Sequence, residues 1–377
     1  MKKLITILIL WTFFVQNSFA GSHGVHNGWE NGRTDYFRST AQKRHGNYSG
    51  LFASALNSIV FEMFPATGTP DIGNDYGFGI GIYPTDLTAK FPIDDFIQIY
   101  GSSLELTLRW SEIGNLILED ANGVSIDSAV SPVALNQWSF IEGRFQRLAS
   151  GGYNILVNGV VIMSGSGKDF LDSGSLTTIR VFGEDSCSYY LDDLYTKSGI
   201  SVSTSSDSYG VNFAVSKEYV TTNVTNSCID STTTTGNDTS WANIPPIDGT
   251  TITVAPTKRH GCSVNNVGDA AIPAGSIFIA ASYDWRVSRS SGAATNDLVG
   301  YGKNNLLTYI NATFTTSLAW YYKTDTTAIN MSSDVLALGV GAVDHTVTLS
   351  EGGVSIAYIE ATATGVKQMG LLGVGSP

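Results

Sequence analysis

Leu104-Glu105-Leu106-Thr107-Leu108-Arg109-Trp110 places an apolar residue at every second position. Successive side chains of an extended chain point to opposite faces, so this spacing predicts a half-buried β-strand with Leu104, Leu106, Leu108 and Trp110 turned toward a core. Asn115-Leu116-Ile117-Leu118-Glu119 follows after a four-residue turn and reads as the next strand. Working outward, further strands are expected at 138–147, 153–163, 176–182 and 189–196, separated by clusters such as Ala149-Ser150-Gly151-Gly152. Asn158-Gly159 between apolar residues marks a type I′ hairpin turn, which sets the register of its strands. Met163-Ser164-Gly165-Ser166-Gly167 reads as a hairpin loop.

The polar stretch Ser201-Val202-Ser203-Thr204-Ser205-Ser206-Asp207 has no apolar period and reads as a linker. Beyond it, strands are expected at 276–287, 306–322, 335–340, 346–349 and 354–360. Of 377 residues, 42% are hydrophobic, only 14% are charged, and 40 are Gly, a composition of short strands and turns that excludes coiled coils and helical bundles. The predicted class is all-β, with two antiparallel β-sandwich, jelly-roll-like domains at 21–200 and 201–377, since a single core seldom grows beyond about 250–300 residues.

Lys and Arg number 21 against 33 Asp and Glu, a formal charge of −12 with no long basic run, which argues against a nucleic-acid partner. Met1-Lys2-Lys3, the apolar stretch 4–15 and the small residues Ser18 and Ala20 form a secretory signal, cleaved after residue 20. Its apolar core is too short to cross a bilayer, which takes about 20 residues, so no membrane span is expected after cleavage and the mature chain is expected outside the cell or on its surface. The cysteines are Cys187, Cys228 and Cys262, and in an oxidising compartment the favoured disulfide is Cys228 with Cys262, three free thiols being the alternative.

Between 98 and 198 the sequence resembles the concanavalin A-like lectin/glucanase sandwich of the laminin G-like kind. The resemblance rests on Trp138-Ser139-Phe140-Ile141-Glu142-Gly143-Arg144-Phe145, then Tyr153-Asn154-Ile155-Leu156-Val157-Asn158-Gly159-Val160, then Ile179-Arg180-Val181-Phe182, and last Tyr190-Leu191-Asp192-Asp193-Leu194-Tyr195. Such a sandwich followed by a second β-rich region is also similar to bacteriophage virion and tail proteins. The signal peptide departs from that pattern and shifts weight toward a secreted glycan-binding protein.

The resemblance implies a glycan-binding face, and parity nominates its residues. Phe145 shares a face with Ile141 and Gly143, leaving Glu142 and Arg144 opposite; Arg180 lies opposite Ile179 and Val181, and Tyr190 is out of phase with Leu191. With these strands adjoining in the concave sheet, Glu142, Arg144, Arg180 and Tyr190 are expected to form a polar patch for a glycan or surface polysaccharide. Cross-strand pairing of Glu142 with Arg180 is the alternative. Glucanases of this fold carry alternating carboxylates on one strand; here Glu119-Asp120, Glu184-Asp185 and Asp192-Asp193 are adjacent pairs whose side chains point apart in a strand. The resemblance also implies calcium at a rim, for which Asp71, Asn74 and Asp75 offer oxygens, a self-bonded turn being the alternative and no cofactor being required. The expected function is non-enzymatic extracellular recognition or adhesion. The alternatives are a virion or tail component, partnered by copies of itself or other surface proteins, and a glycoside hydrolase.

Overall fold

A computed structural model describes residues 23–26, 37–39, 41–42, 44–45, 49–52, 57–62, 75–87, 93–101, 103–170, 176, 178–183, 187–198, 202, 212–219, 228–230, 251–257, 259–266, 272–290, 297–303, 306–325 and 334–361. The expected signal peptide and most of the expected linker lie outside these residues.

The first strands are β1 (His23–His26), β2 (Phe37–Ser39), β3 (Ser49–Phe52), β4 (Asn57–Glu62), β5 (Asp75–Asp86), β6 (Ile93–Tyr100), β7 (Leu104–Ser111) and β8 (Leu116–Asp120). There follow β9 (Ser125–Ala129), β10 (Ser139–Gln146), β11 (Gly151–Val157), β12 (Val160–Lys168), β13 (Thr178–Gly183) and β14 (Ser188–Ser198). The remainder are β15 (Phe213–Tyr219), β16 (Cys228–Asp230), β17 (Ile252–Val254), β18 (Arg259–Asn266), β19 (Ile277–Arg289), β20 (Asp297–Lys303), β21 (Leu306–Ala312), β22 (Ala319–Asp325), β23 (Val335–Ala342) and β24 (Val347–Ile359).

All pairings are antiparallel and the chain is all-β. Sheet I runs β12-β11-β10-β5-β14-β3-β2, with β1 also on β14, and sheet II runs β4-β13-β6-β7-β8-β9. Sheet III runs β15-β24-β19-β22, with β17 also on β24, and sheet IV runs β16-β18-β23-β20-β21. Sheets I and II enclose one apolar cluster, built from Phe78, Ile80 and Ile141 on one side and Ile97, Leu108 and Trp110 on the other. Sheets III and IV enclose a second around Trp285, Ile356 and Leu338. A third, smaller cluster joins sheet I to sheet III, with Phe140 and Tyr195 against Phe213, Val215 and Ala357.

Period-two spacing holds where it was strongest: Leu106, Leu108 and Trp110 are fully buried. It breaks at Leu104, which is half-buried, because a register shift opposite Ile99 and Tyr100 frees Glu105 to meet Arg147 at 2.7 Å inside the sandwich. Asn158 and Gly159 have φ of 51° and 78°, the type I′ geometry, and Asn158 Oδ1 accepts the Phe140 N–H at 2.8 Å. Three expectations are corrected. The stretch 163–167 belongs to β12, held in the ladder by β11, instead of forming a loop. The stretch 306–322 divides into β21 and β22, which lie in different sheets, whereas 346–349 and 354–360 merge into β24 because Glu351-Gly352-Gly353 continues the pairing with β19. Asp75 opens β5 rather than closing a loop; Gly77, Gly79 and Gly81 alternate there with buried Tyr76, Phe78, Ile80 and Ile82.

Candidate functional site

The four residues nominated for one patch are not brought together. Glu142 and Arg144 lie on the outer face of sheet I, but that face carries the third apolar cluster and is roofed by sheet III, so both are buried. Glu142 accepts a hydrogen bond from the Tyr195 hydroxyl at 2.6 Å. Arg180 sits on β13 in sheet II, on the other side of the molecule's first core, so it cannot pair with Glu142. Tyr190 is on the outer face of sheet I beyond the roofed region, half-buried beside Tyr83. Parity along each strand was right; sheet membership and the packing of one sandwich on the other decided the rest.

The roofed face has its own polar node, at a bulge in β14. Asp193 and Leu194 together oppose Ile80, so the two adjacent carboxylates no longer point apart, and Asp193 has φ of 52°. Asp193 accepts from Arg44 Nη1 at 2.6 Å, His45 Nδ1 at 2.5 Å and the Val215 N–H at 2.8 Å. Asp192 accepts the N–H groups of Arg44 and His45, while Arg44 also donates to the Phe213 carbonyl at 2.8 Å. Burial pushes the Asp193 carboxyl up, but the His45 and Arg44 charges outweigh it and hold it below its ordinary value. Asp192 is pushed well up, by burial and by the charge on Asp193. This node links sheet I to β15, and its carboxylates are spent on structure.

The outer face of sheet II is different. In the register of β13, β6, β7 and β8, Arg180, Gln98, Thr107 and Glu119 form one row, with Asp95, Arg109 and Ile117 in the next. The intervening residues Ile179, Ile97, Leu108 and Leu118 fill the core behind. Along the face the Tyr100 hydroxyl donates to Gln98 Oε1 at 2.6 Å and Gln98 Nε2 donates to Asp95 Oδ2 at 2.9 Å. Arg109 then bridges Asp95 at 2.5 Å and Glu119 at 3.3 Å. Burial raises the Glu119 carboxyl, partly offset by Arg109, with Asp95 and Asp120 raising it further.

Arg180 ends this row between two rings, its guanidinium carbon 5.3 Å from the Tyr100 centroid and 5.6 Å from that of Phe182. Among the described residues it has no carboxylate partner, and its Nε is buried without a hydrogen bond. Gln98, Thr107 and Glu119 are buried in this row, whereas Arg180, Tyr100, Asp95 and Arg109 are half-buried, so a guanidinium held by rings at this edge keeps its donor edge for a guest. Of this constellation the sequence reading found only Arg180. Asp95, Gln98 and Tyr100 were missed because β6 was not read as a strand: Ile97-Gln98-Ile99 alternates, but a register shift between Asp95 and Ile97 puts Phe96 and Ile97 side by side and breaks the period. Asp120 proves a turn former, accepting the N–H groups of Asn122 and Val124 at 2.8 and 2.9 Å.

Of the calcium residues, Asp71 and Asn74 lie outside the described residues, and Asp75 is raised by burial and hydrogen-bonded by the Gln146 side chain. Among the described residues no three His, Cys, Asp or Glu side chains gather as a metal ion requires. Cys187 is buried and in no disulfide, while Cys228 and Cys262 are Cα partners across the β16–β18 pair.

No protein-family model matches the chain and no curated protein matches it. Among solved structures it is similar to the receptor binding domain of botulinum neurotoxin D, at 10% identity and a TM-score of 0.35 over 94% of this chain and 91% of that one. It is similar also to the endo-beta-1,4-glucuronan lyase of the fungus Trichoderma reesei, at 9% identity and 0.33, over 50% of this chain and 98% of that one. The Emp47p carbohydrate recognition domain gives 10% and 0.31, over 49% and 97%. With identities and scores this low, no residue-level correspondence follows.

Proposed function

We propose that this chain is a non-enzymatic extracellular recognition protein that binds a glycan on the outer face of sheet II. The observation that carries the reading is Arg180, set between Tyr100 and Phe182 without a carboxylate partner among the described residues and beside the Gln98-Asp95-Arg109-Glu119 line. A sugar presents apolar C–H faces and a ring of hydroxyls, and this surface answers with aromatic rings and alternating donors and acceptors. Asp95 and Arg109, both half-buried and paired at 2.5 Å, offer an acceptor and a donor at the solvent side of this line, while Glu119 is buried behind them. Export rests on the signal at 1–20, and calcium at the Asp71-Asn74-Asp75 stretch belongs to the same reading.

The test is a glycan array probed with the mature protein and with Arg180→Ala, whose side chain is half-exposed and outside the core. Binding by the parent chain and its loss in the variant is the expected result. Absence of glycan binding, together with regular incorporation into particles, would replace this reading by a structural role. Cleavage of a bound glycan that disappears in Glu119→Gln would replace it by a hydrolytic one.

A further inference from the structure

The outer face of sheet I carries a second, partly exposed region, past Phe140 where the contact with sheet III lies. Tyr83, Trp138 and Tyr190 come from β5, the residue preceding β10, and β14, three neighbours in the sheet order. Tyr83 and Tyr190 are direct Cα partners, and Trp138 immediately precedes Ser139, which pairs with Ile82. Ring centroids are 5.6 Å apart for Tyr83 and Trp138 and 6.0 Å for Tyr83 and Tyr190, with interplanar angles of 59° and 76°. The rings therefore make an angled trough with Tyr83 at its centre. All three residues are half-buried, and among the described residues neither hydroxyl nor the indole N–H has a hydrogen-bond partner.

The trough is held in shape from both ends. Asn136, at φ 58°, donates its N–H to the Pro84 carbonyl at 2.7 Å and fixes the turn that delivers Trp138. Thr85 Oγ1 donates to the Ser188 carbonyl at 2.9 Å and ties the end of β5 to the start of β14. Arg44, on the same face, lies over Phe140 and is committed to Asp193, and the three rings are themselves neutral. Two interstrand steps make the row about 10 Å long. Preformed rings with unused neutral donors suit a guest with an apolar face and surrounding hydroxyls, because little ordering entropy is lost on binding.

We infer that Tyr83, Trp138 and Tyr190 form a second sugar-binding site, for a neutral glycan chain, on the sandwich face opposite Arg180. The inference rests on the glycan reading above. It is tested by affinity electrophoresis of the mature protein through gels holding neutral polysaccharides (β-glucan, xylan, galactan or mannan) or an acidic polyuronate, comparing the parent chain with Trp138→Ala, Tyr190→Ala and Arg180→Ala, each checked by near-ultraviolet circular dichroism. The expected result is a roughly tenfold weakening on a neutral polysaccharide for each ring removed, in line with the size of aromatic contacts. Binding lost in Arg180→Ala but unchanged in both ring variants would overturn this inference and leave the first reading standing. Binding lost in the ring variants alone would uphold the trough and move glycan recognition to it. Migration unretarded by any polysaccharide would overturn both, and ring variants that lose attachment to a protein partner only would assign the trough to that partner.

Discussion

Asp193→Asn is the substitution that best isolates what holds sheet I to β15. Asparagine has nearly the shape of aspartate and tolerates positive φ as well, so the 52° backbone at 193 is not an added strain. The change therefore removes charge. The Asp193 side chain is fully buried and that of Arg44 only 11% exposed, which places the pair among buried ion pairs, where removing one partner costs about 3–5 kcal/mol, rather than among surface pairs worth about 0–1 kcal/mol. The Val215 N–H keeps an acceptor in the amide oxygen. Asp192, relieved of the neighbouring charge that raises it, ionises more readily and partly replaces the lost counterion of Arg44. The expected loss is therefore at the lower end, about 3 kcal/mol, read as a fall in the urea midpoint monitored by tryptophan fluorescence. The pH dependence has a definite sign. The folded Asp193 carboxyl is held below 3.8, so its stabilisation is present above that value and fades as pH falls through the folded pKa. The gap between parent and variant should close in acid. Asp192 acts in the opposite direction, since its raised carboxyl costs stability as pH climbs above 3.8. A neutral-pH difference below about 1 kcal/mol, the scale of a surface pair, would refute the reasoning, as would a gap that persists at the acid end.

Gly79→Ala should destabilise the chain by about 1–3 kcal/mol in the same assay, because the new Cβ overlaps the Tyr195 ring and comes within 2.9 Å of Phe140 at the centre of the contact between sheets I and III. Asn158→Ala should cost about 1–2 kcal/mol in thermal unfolding, from the 51° φ together with the lost bond to the Phe140 N–H. Cys228 and Cys262 are direct cross-strand partners, and such pairs have Cα atoms about 4.5–5.5 Å apart, within disulfide range. Thiol titration of the denatured protein should find one thiol before reduction and three after it, since Cys187 is in no disulfide and the chain has 3 Cys; three thiols at the outset would disprove the bond.

What the sequence determined by itself was local. The strict alternation at 104–110 and the Asn158-Gly159 turn marked strands, turn and core face, because period-two burial and positive φ are properties of a few neighbouring residues. The same parity correctly set Glu142 and Arg144 opposite Ile141 and Phe145. It missed β5, whose outward positions are glycines, since Gly weakens the strand signal while making room for the Tyr195 ring. Tertiary structure alone decided which strands share a sheet and which outer face meets solvent. That assignment put Arg180 in sheet II with Gln98 and Arg109, roofed Glu142 and Arg144 beneath sheet III, and set Tyr83 beside Trp138 and Tyr190. It also turned Asp192 and Asp193 from a diverging pair into one node, through a bulge that exists only against β5. Alternation tells a side chain from its neighbour across the strand; what lies above that face is set by segments distant in sequence, whose apolar surface is buried only when the two sandwiches meet.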